Sequence, residues 1–281
     1  GELRAPAVHQ GAGGTGVIAV PVNRLSLVEA AREAARLGGQ RSRQLLHGAE
    51  ARFKNESYNL VTTADIETER YLREILSARF PHHTILGEEG RQDIDLLSPS
   101  LWIIDPIDGT NNYAHGVPHY GTAVAFAESG EVLAGAVYDP ERSELFSAYL
   151  GGGAYLNNER IQVSRVEGLA NSLICTGFFY DRGAMMERTL GAIGRLFNRE
   201  VHGVRRTGSA ALDICWTAAG RFDAFFEFEL GPWDYAAGAL ILREAGGLAT
   251  GTDGSDLTLS TGHIAACTPG IQQELLQVIG A

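Results

Sequence analysis

Cysteine is scarce in this chain, with three residues among 281, and the three lie far apart. They are Cys175, Cys215 and Cys267, each with apolar or small neighbours, and none belongs to a Cys-x-x-Cys pair. An odd number of isolated cysteines argues against a disulfide framework. We therefore expect three buried, reduced thiols, which are typical of a cytoplasmic protein.

Long apolar runs and basic clusters are also missing. No stretch approaches the ~18–20 apolar residues that a membrane-spanning helix needs. Residues 1–24 lack a basic start and a long apolar segment, so we expect a flexible N-terminal extension and not a secretory signal. Only 23 Lys and Arg residues stand against 34 Asp and Glu, for a formal charge of −11. This composition disfavours nucleic acid and anionic membranes as partners.

Helical and strand patterns are mixed along the chain without a strict β-α-β repeat. Helices are predicted from residue 26 with a bend or interruption at Gly38-Gly39, and at about 64–80, 185–197, 210–219 and 235–244. In the helix at 64–80, the predicted inner stripe consists of Ile66, Leu72, Ile75 and Leu76. Strands are predicted at 84–86, 101–104, 120–126, 132–138, 173–175 and 224–228, and on either side of Asn157-Asn158. The strands on either side of Ser129-Gly130, and those on either side of Asn157-Asn158, are predicted to form hairpins, which favours antiparallel pairing. The sequence therefore predicts an α+β or layered α/β architecture.

The strongest motif of the sequence runs from Trp102 to Asn112. An apolar strand ends at Asp105, Pro106 forces a turn, and Asp108 follows three residues after the first acid. Two carboxylates held in this way can bind hard cations, which prefer oxygen ligands. The backbone N–H groups of the next residues, Gly109 and Thr110, could bind phosphate. Taken alone, such a stretch is more typical of an ordinary turn.

Two more acidic sites follow apolar segments. Gly87-Glu88-Glu89-Gly90 comes directly after the strand at 84–86, and Pro232-Trp233-Asp234 places Asp234 at the start of a helix. In isolation the first is typical of a solvated turn and the second of a helix cap. A site for an anion is unexpected in a chain with a charge of −11, and bound divalent cations would resolve that conflict.

These motifs, together with Asn59-Leu60-Val61-Thr62-Thr63-Ala64-Asp65 upstream, resemble the inositol monophosphatase family of lithium-sensitive, Mg²⁺-dependent phosphatases. The resemblance covers the chain from about Leu25 onward. It implies a layered αβαβα sandwich with mixed, largely antiparallel sheets, as in fructose-bisphosphatases, and a homodimer. It also implies a metal-binding half at about 25–165 and a substrate-binding half at about 166–281.

The resemblance assigns roles to individual residues. It implies two or three Mg²⁺ ions, held by Glu88, Asp105, Asp108, Asp234 and the backbone carbonyl of Ile107. The catalytic residues would be Glu88, Asp65 and Thr110. Of these, Asp65 and Thr110 would orient and deprotonate the attacking water. Phosphate or substrate would contact Gly109, Thr110, Gly208, Ser209, Ala210, Glu227 and Lys54. Asn59 stands where many members carry an acid, which puts its contribution to a third metal in doubt.

The function implied is hydrolysis of a small polyhydroxylated phosphate monoester, first of all myo-inositol monophosphate, by a metal-activated water. No Asp-x-Asp-Thr/Val motif of an aspartyl-phosphate enzyme is present, so direct attack by water is preferred over a covalent intermediate. Alternatives are a fructose-bisphosphatase, a histidinol-phosphate phosphatase, a nucleotide 3′-phosphatase or a regulatory binding protein without activity. We interpret His119 and Trp216 as structural residues. Arg206 could steer a phosphate, but we favour a salt bridge or subunit contact for it.

Overall fold

A computed structural model of the protein describes residues 23–46, 51–53, 60–90, 93–178 and 182–280. The helices in these ranges are α1 (Arg24–Leu45), α2 (Thr63–Arg79), α3 (Thr110–Ala114), α4 (Ala184–Phe197), α5 (Ala210–Ala218), α6 (Pro232–Glu244) and α7 (Gln272–Ile279). None of them is both long and apolar enough to span a membrane. Lys54, Asn59 and the proposed extension up to residue 22 lie outside the described residues.

The strands form two large sheets and one small ribbon. The seven-stranded sheet contains, in spatial order, β3 (Thr84–Gly87), β4 (Leu101–Asp108), β5 (Gly121–Glu128), β6 (Glu131–Asp139), β7 (Glu144–Tyr149), β8 (Gly153–Leu156) and β9 (Glu159–Arg160). The five-stranded sheet has the order β11-β10-β12-β14-β13, with β10 (Leu173–Thr176), β11 (Gly203–Arg205), β12 (Ala224–Glu227), β13 (Leu248–Thr250) and β14 (Ile264–Cys267). The ribbon pairs β1 (Ala51–Phe53) with β2 (Leu60–Thr62).

Both large sheets are mixed. In the first, β3 and β4 are parallel and every other neighbouring pair is antiparallel. In the second, β10 runs parallel to both β11 and β12, while β14 is antiparallel to β12 and β13. The predicted hairpins around residues 129–130 and 157–158 are confirmed.

Alternating side chains of β4 show how the layers stack. Trp102 and Ile104 pack with α1 and α2 on one face of the seven-stranded sheet, whereas Leu101 and Ile103 pack against α5 and α6 on the other. The far side of α5 and α6 contacts the five-stranded sheet through residues such as Phe225. Helices α4 and α7 cover the outer face of that sheet. The predicted αβαβα arrangement is therefore confirmed.

Two details of α1 differ from the prediction. The helix begins at Arg24 and not at residue 26, because the Asn23 side chain caps it by accepting a hydrogen bond from the backbone N–H of Leu25 at 3.1 Å. It also continues through Gly38 and Gly39 without interruption. A Cβ atom at Gly38 would lie 2.9 Å from the side chains of Leu72 and Thr122. These glycines therefore permit close packing and do not interrupt the helix.

The buried face of α2 was also predicted incorrectly in part. Ile66, assigned to the inner stripe, is 55% exposed, while the neighbouring Asp65 and the more distant Glu69 are buried. Leu72 and Leu76 are buried as predicted. The helix thus turns polar side chains toward the interior at its N-terminal end.

All three cysteines are buried with free thiols, as predicted. Burial raises the pKa of each thiol above its ordinary value, which keeps the thiols protonated and unreactive.

Candidate metal centre

An irregularity at the end of β4 brings two acids to one edge of the sheet. The register between β4 and β5 shifts between Asp105 and Asp108, where Pro106 has no backbone N–H to donate. The Pro106 carbonyl instead accepts a hydrogen bond from the Thr122 hydroxyl at 2.7 Å. The backbone N–H of Ile107 turns back to the Asp105 carboxylate, at 3.0 Å from Oδ1. The motif is therefore a bulged strand end and not a solvated turn.

Three carboxylates meet beside this bulge. One oxygen each from Asp105, Asp108 and Asp234 lies within 4.8 Å of the other two. Asp234 occupies the first turn of α6, where its Oδ2 accepts a hydrogen bond from the N–H of Gly231 at 2.6 Å. The second oxygen of Asp105 is buried without a hydrogen-bond partner in the described part of the chain. A buried, unpaired carboxylate oxygen among other carboxylates is well suited to bind a hard cation such as Mg²⁺.

The electrostatics of the cluster favour the same interpretation. Burial, followed by the charges of Glu88 and Asp108, raises the pKa of Asp105 well above its ordinary range. Burial and Glu88 have the same effect on the pKa of Asp234. Burial raises the pKa of Asp108 to about 7, although hydrogen bonds from Ser209 and the next helix oppose the shift. The protein thus holds several acids where only protons or cations can neutralise them.

Asp108 also connects the two sheets through the start of α5. Its carboxylate accepts hydrogen bonds from the Ser209 hydroxyl and from the backbone N–H groups of Ala210 and Ala211, at 3.2 and 2.8 Å. An acid is stabilised at a helix N-terminus, where backbone N–H groups have no partner within the helix. Ser209 and Ala210, predicted as substrate contacts, are thus hydrogen-bonded to a predicted metal ligand.

Asp65 and Thr110 are neighbours behind this cluster. The Thr110 hydroxyl oxygen lies 3.0 Å from Asp65 Oδ1 and 3.1 Å from the carbonyl oxygen of Ile107. Asp65 Oδ2 accepts hydrogen bonds from the backbone N–H of Thr62 at 2.8 Å and from its hydroxyl at 2.5 Å. Burial raises the pKa of Asp65 to about 6, against the lowering effect of the Thr62 and Thr110 hydrogen bonds.

A cavity of about 250 Å³ opens over the carboxylates. Of the predicted site residues that the structure describes, all but Asp65 line it: Glu88, Asp105, Ile107, Asp108, Gly109, Thr110, Gly208, Ser209, Ala210, Glu227 and Asp234. The sequence motifs, separated by up to half the chain, therefore surround one space.

The other lining residues were not predicted as site residues: Asn111, Gly177, Phe178, Arg206, Asp213, Glu229, Leu230, Gly231 and Trp233. Gly177 follows β10, whose parallel pairing with β12 brings it next to Glu227, and a Cβ at Gly177 would lie 1.8 Å from a Glu227 carboxylate oxygen. Burial raises the pKa of Glu227 to about 8, while the positive charge of Arg206 opposes this. Arg206 therefore lines the cavity, and its positive charge reaches Glu227.

Asp213 explains why His119 is buried. The Nε2 atom of His119 lies 3.1 Å from Asp213 Oδ1, and the Thr207 hydroxyl donates a hydrogen bond to the same carboxylate. The ring of Trp216 packs edge-on against His119, with centroids 5.0 Å apart. The structural interpretation of His119 and Trp216 agrees with these contacts. No sequence motif marked Asp213, since its partners lie in other segments.

Comparison with known proteins agrees with the family resemblance of the sequence motifs. A putative Nus factor SuhB from Neisseria meningitidis serogroup B is 41% identical over 251 residues, which cover 89% of this chain and 96% of that protein. An inositol-1-monophosphatase from Synechocystis is 42% identical over 228 residues, 81% of this chain and 79% of that protein. The solved structure of an IMPase from Thermotoga maritima superposes with a TM-score of 0.82 at 32% identity, covering 90% of this chain and 96% of the other.

The model of the inositol monophosphatase family matches residues 23–279, which is nearly all of the described chain. The matched region contains every acid of the cluster, the Thr110–Asp65 pair and both large sheets. Motif order, layered fold and similarity along the whole chain thus agree, and the protein belongs to the inositol monophosphatase family.

Proposed function

We propose that this Mg²⁺-dependent phosphomonoesterase hydrolyses a myo-inositol monophosphate to inositol and phosphate, using two or three Mg²⁺ ions. One observation carries the proposal. The buried, unpaired oxygen of Asp105 lies among carboxylates in a cavity that also contains Glu227. The first feature suits a hard cation, and the second suits a substrate rich in hydroxyl groups.

The ligands for the ions in this proposal are Glu88, Asp105, Asp108, Asp234 and the carbonyl oxygen of Ile107. Bound Mg²⁺ would neutralise the phosphate dianion, lower the pKa of the attacking water and stabilise the leaving alkoxide. The contribution of the protein is to hold several acids close together in a partly buried cavity, where bound cations would favour their ionised form. The hydrogen bonds from the start of α5 keep Asp108 in place for this task.

Asp65 and Thr110 handle the proton of the attacking water in this account. The Thr110 hydroxyl orients the water, accepts a proton from it and gives its own proton to Asp65 Oδ1, 3.0 Å away. With a pKa of about 6, Asp65 is mostly ionised at neutral pH and is basic enough to accept it. The hydrogen bonds from Thr62 fix the other oxygen of Asp65 and therefore the direction of the transfer.

The backbone N–H groups of Gly109 and Thr110 would bind the phosphate oxygens, and Glu227 would bind the alcohol part of the substrate. Gly208 lines the cavity with its backbone. Its φ of +100° and the nearby side chains of Arg206 and Asn112 leave no room for a Cβ atom, so the position requires glycine. The Glu227 carboxyl group lies at the end of β12 and can hydrogen-bond vicinal hydroxyls. Lys54 completes the proposed set of phosphate or substrate contacts.

Further properties belong to the proposal because the family suggests them: inhibition by Li⁺, a homodimer and a cytoplasmic location. The division into a metal-binding half at about 25–165 and a substrate-binding half at about 166–281 is also part of it. In that division Asp234 supplies a metal ligand from the second half, so the two halves would share the site.

A panel of substrates tests the proposed specificity. We would compare kcat/KM for inositol 1-phosphate, fructose 1,6-bisphosphate, histidinol phosphate and a nucleoside 3′-phosphate, with the Asp105→Asn variant as a background control. The proposal predicts the highest value for inositol 1-phosphate and loss of all activity in the variant. A higher value for another phosphate would assign the enzyme to that specificity.

A second candidate function rests on the relatives named Nus factors, which are as similar to this chain as the named phosphatases. We propose a role in a transcription complex as an additional, separable activity. Its test is binding to purified RNA polymerase, with and without RNA, by wild type and by Asp105→Asn. Equal binding by both proteins would support it, and no binding by either would refute it.

A further inference from the structure

We propose that Glu69 is a positioning residue for the metal centre: its carboxylate fixes the backbone on either side of Glu89 and thereby sets the place of Glu88. The proposal rests on the proposed function, in which Glu88 is a metal ligand. Glu69 belongs to none of the sequence motifs that mark the site. It lies on α2, four residues after Asp65, and its side chain is only 5% exposed.

The carboxylate of Glu69 binds the acidic loop through two backbone groups. Its Oε2 atom accepts a hydrogen bond from the N–H of Glu89 at 2.7 Å, and its Oε1 atom accepts one from the N–H of Gly90 at 2.9 Å. The first of these N–H groups belongs to the peptide bond that directly follows Glu88. The position of the Glu88 main chain therefore depends on a side chain of another element.

Arg73, one turn further along α2, holds Glu69 in this orientation. Its Nε atom donates to Glu69 Oε1 at 2.9 Å, and its Nη2 atom lies 2.8 Å from the same oxygen. Its Nη1 atom donates to the carbonyl oxygen of Ile85, in β3, at 2.9 Å. Charge-assisted hydrogen bonds of this kind are stronger than neutral ones and restrict geometry. The pair thus connects α2 with both the strand and the loop that carry Glu88.

The position of the Glu69 carboxylate explains why the Gly87-Glu88-Glu89-Gly90 motif begins and ends with glycine. A Cβ atom at Gly87 would lie 2.5 Å from the Glu69 carboxylate, and one at Gly90 would lie 2.6 Å from its Oε1 atom. The loop encloses the carboxylate so closely that neither position has room for a side chain. The motif therefore encloses the Glu69 carboxylate and also supplies the proposed metal ligand Glu88.

The spacing on α2 gives the arrangement a further consequence. Asp65, Glu69 and Arg73 follow at intervals of four residues, so they lie on one face of the helix. The same helix therefore places the proposed proton acceptor, Asp65, and anchors the loop of the proposed ligand, Glu88. Because α2 holds both Asp65 and the loop of Glu88, this one helix fixes the distance between the two residues.

Glu69→Gln tests the proposal because it keeps the size of the side chain. The new amide presents an NH₂ group where an oxygen accepted a backbone N–H, so at least one hydrogen bond to the loop is lost. Mg²⁺ binding to chelator-treated protein is measured by titration calorimetry, together with kcat at saturating Mg²⁺. We expect the dissociation constant for Mg²⁺ to rise about tenfold, with kcat within about threefold of wild type.

Glu74→Gln, on an exposed position of the same helix, removes the same charge and should leave both quantities unchanged. An unchanged dissociation constant in folded Glu69→Gln would overturn the proposal, because a purely structural role would lower stability alone. If wild type bound no Mg²⁺, the proposed function itself would fail. If Glu69→Gln does not fold, Gly90→Ala is the alternative test, because its methyl group would collide with the Glu69 carboxylate. Unchanged Mg²⁺ binding by folded Gly90→Ala would then overturn the proposal.

Discussion

The hydroxyl oxygen of Thr110 lies 3.0 Å from a carboxylate oxygen of Asp65, although 45 residues separate them in the sequence. The contact joins the starts of α2 and α3 at the rear of the carboxylate cluster. Thr62 holds the opposite oxygen of Asp65, and burial raises the pKa of the acid to about 6. The pair is therefore set in one orientation, with a proton affinity that suits a general base.

Thr110→Val should lower kcat by about 10²- to 10⁴-fold, the usual contribution of a general acid–base group. The change removes the hydroxyl and keeps the shape of the side chain, so Mg²⁺ binding should remain within a few-fold of wild type. Thr68→Val is the matched control, because the hydroxyl of Thr68 is buried without a hydrogen-bond partner in the described residues. Steady-state kinetics at saturating Mg²⁺ distinguish the variants, and normal turnover by Thr110→Val would refute the proposed role.

Asp105→Asn should make the metal-free protein more stable, by ~1 kcal/mol, because it removes one of several mutually repelling carboxylates. The new amide can also donate a hydrogen bond to a neighbouring acid of the cluster. The same change should abolish activity and the stabilisation by Mg²⁺. Urea unfolding with chelator and with Mg²⁺ measures both effects. A variant that is less stable than wild type without metal, yet equally stabilised by Mg²⁺, would contradict the assignment of Asp105.

The stability of the metal-free protein should fall as pH rises through the neutral range. The pKa values of Asp65, Asp108 and Glu227 are raised to about 6, 7 and 8, from ordinary values of 3.8 for Asp and 4.5 for Glu. The folded protein therefore binds more protons than the unfolded chain between about pH 4 and 8, and its free energy of unfolding decreases over that range.

Mg²⁺ should reverse this trend, because it binds only the ionised carboxylates. The increase in Tm on adding Mg²⁺ is expected to be small at pH 5 and to grow up to about pH 8. Calorimetric scans at constant ionic strength measure it, with Asp105→Asn as the control that shows no increase. A gain of the same size at pH 5 and pH 8 would show that the carboxylates of Asp105, Asp108 and Asp234 do not bind the ion.

Glu227→Ala should slow the hydrolysis of inositol 1-phosphate roughly tenfold or more, since losing a partner of a bound hydroxyl costs ~1–3 kcal/mol. p-Nitrophenyl phosphate has no hydroxyl groups on its leaving group, so its hydrolysis should change little. The ratio of kcat/KM for the two substrates is the relevant measurement. Equal losses on both would assign Glu227 a structural role, for example one that depends on its contact with Gly177.

The sequence was most informative where a function depends on residues close together in the chain. Asp105 and Asp108 belong to one bulged strand end, and Asp234 belongs to one helix start, so local motifs were enough to place them. The layered fold was predictable for a related reason: most strands pair with a neighbour in sequence, and the resemblance to a known family supplied the rest.

Contacts between distant segments could not be predicted in this way. The close approach of Gly177 to Glu227 follows from the parallel pairing of β10 with β12, about 50 residues apart. The position of Glu69 also contradicts a simple amphipathic pattern, which placed Ile66 inside. Near a functional site, polar residues face the interior because the site needs them there, and hydrophobic periodicity then fails.

In the proposed function, the acids around Asp105 bind Mg²⁺, and hydrolysis requires the bound ion. The most direct test is the rate of phosphate release from inositol 1-phosphate by chelator-treated wild type as Mg²⁺ is added, with Asp105→Asn measured in parallel. We expect no release without Mg²⁺, saturable activation of the wild type and no activation of the variant. Release by the metal-free enzyme, or equal activation of both proteins, would contradict the proposed function.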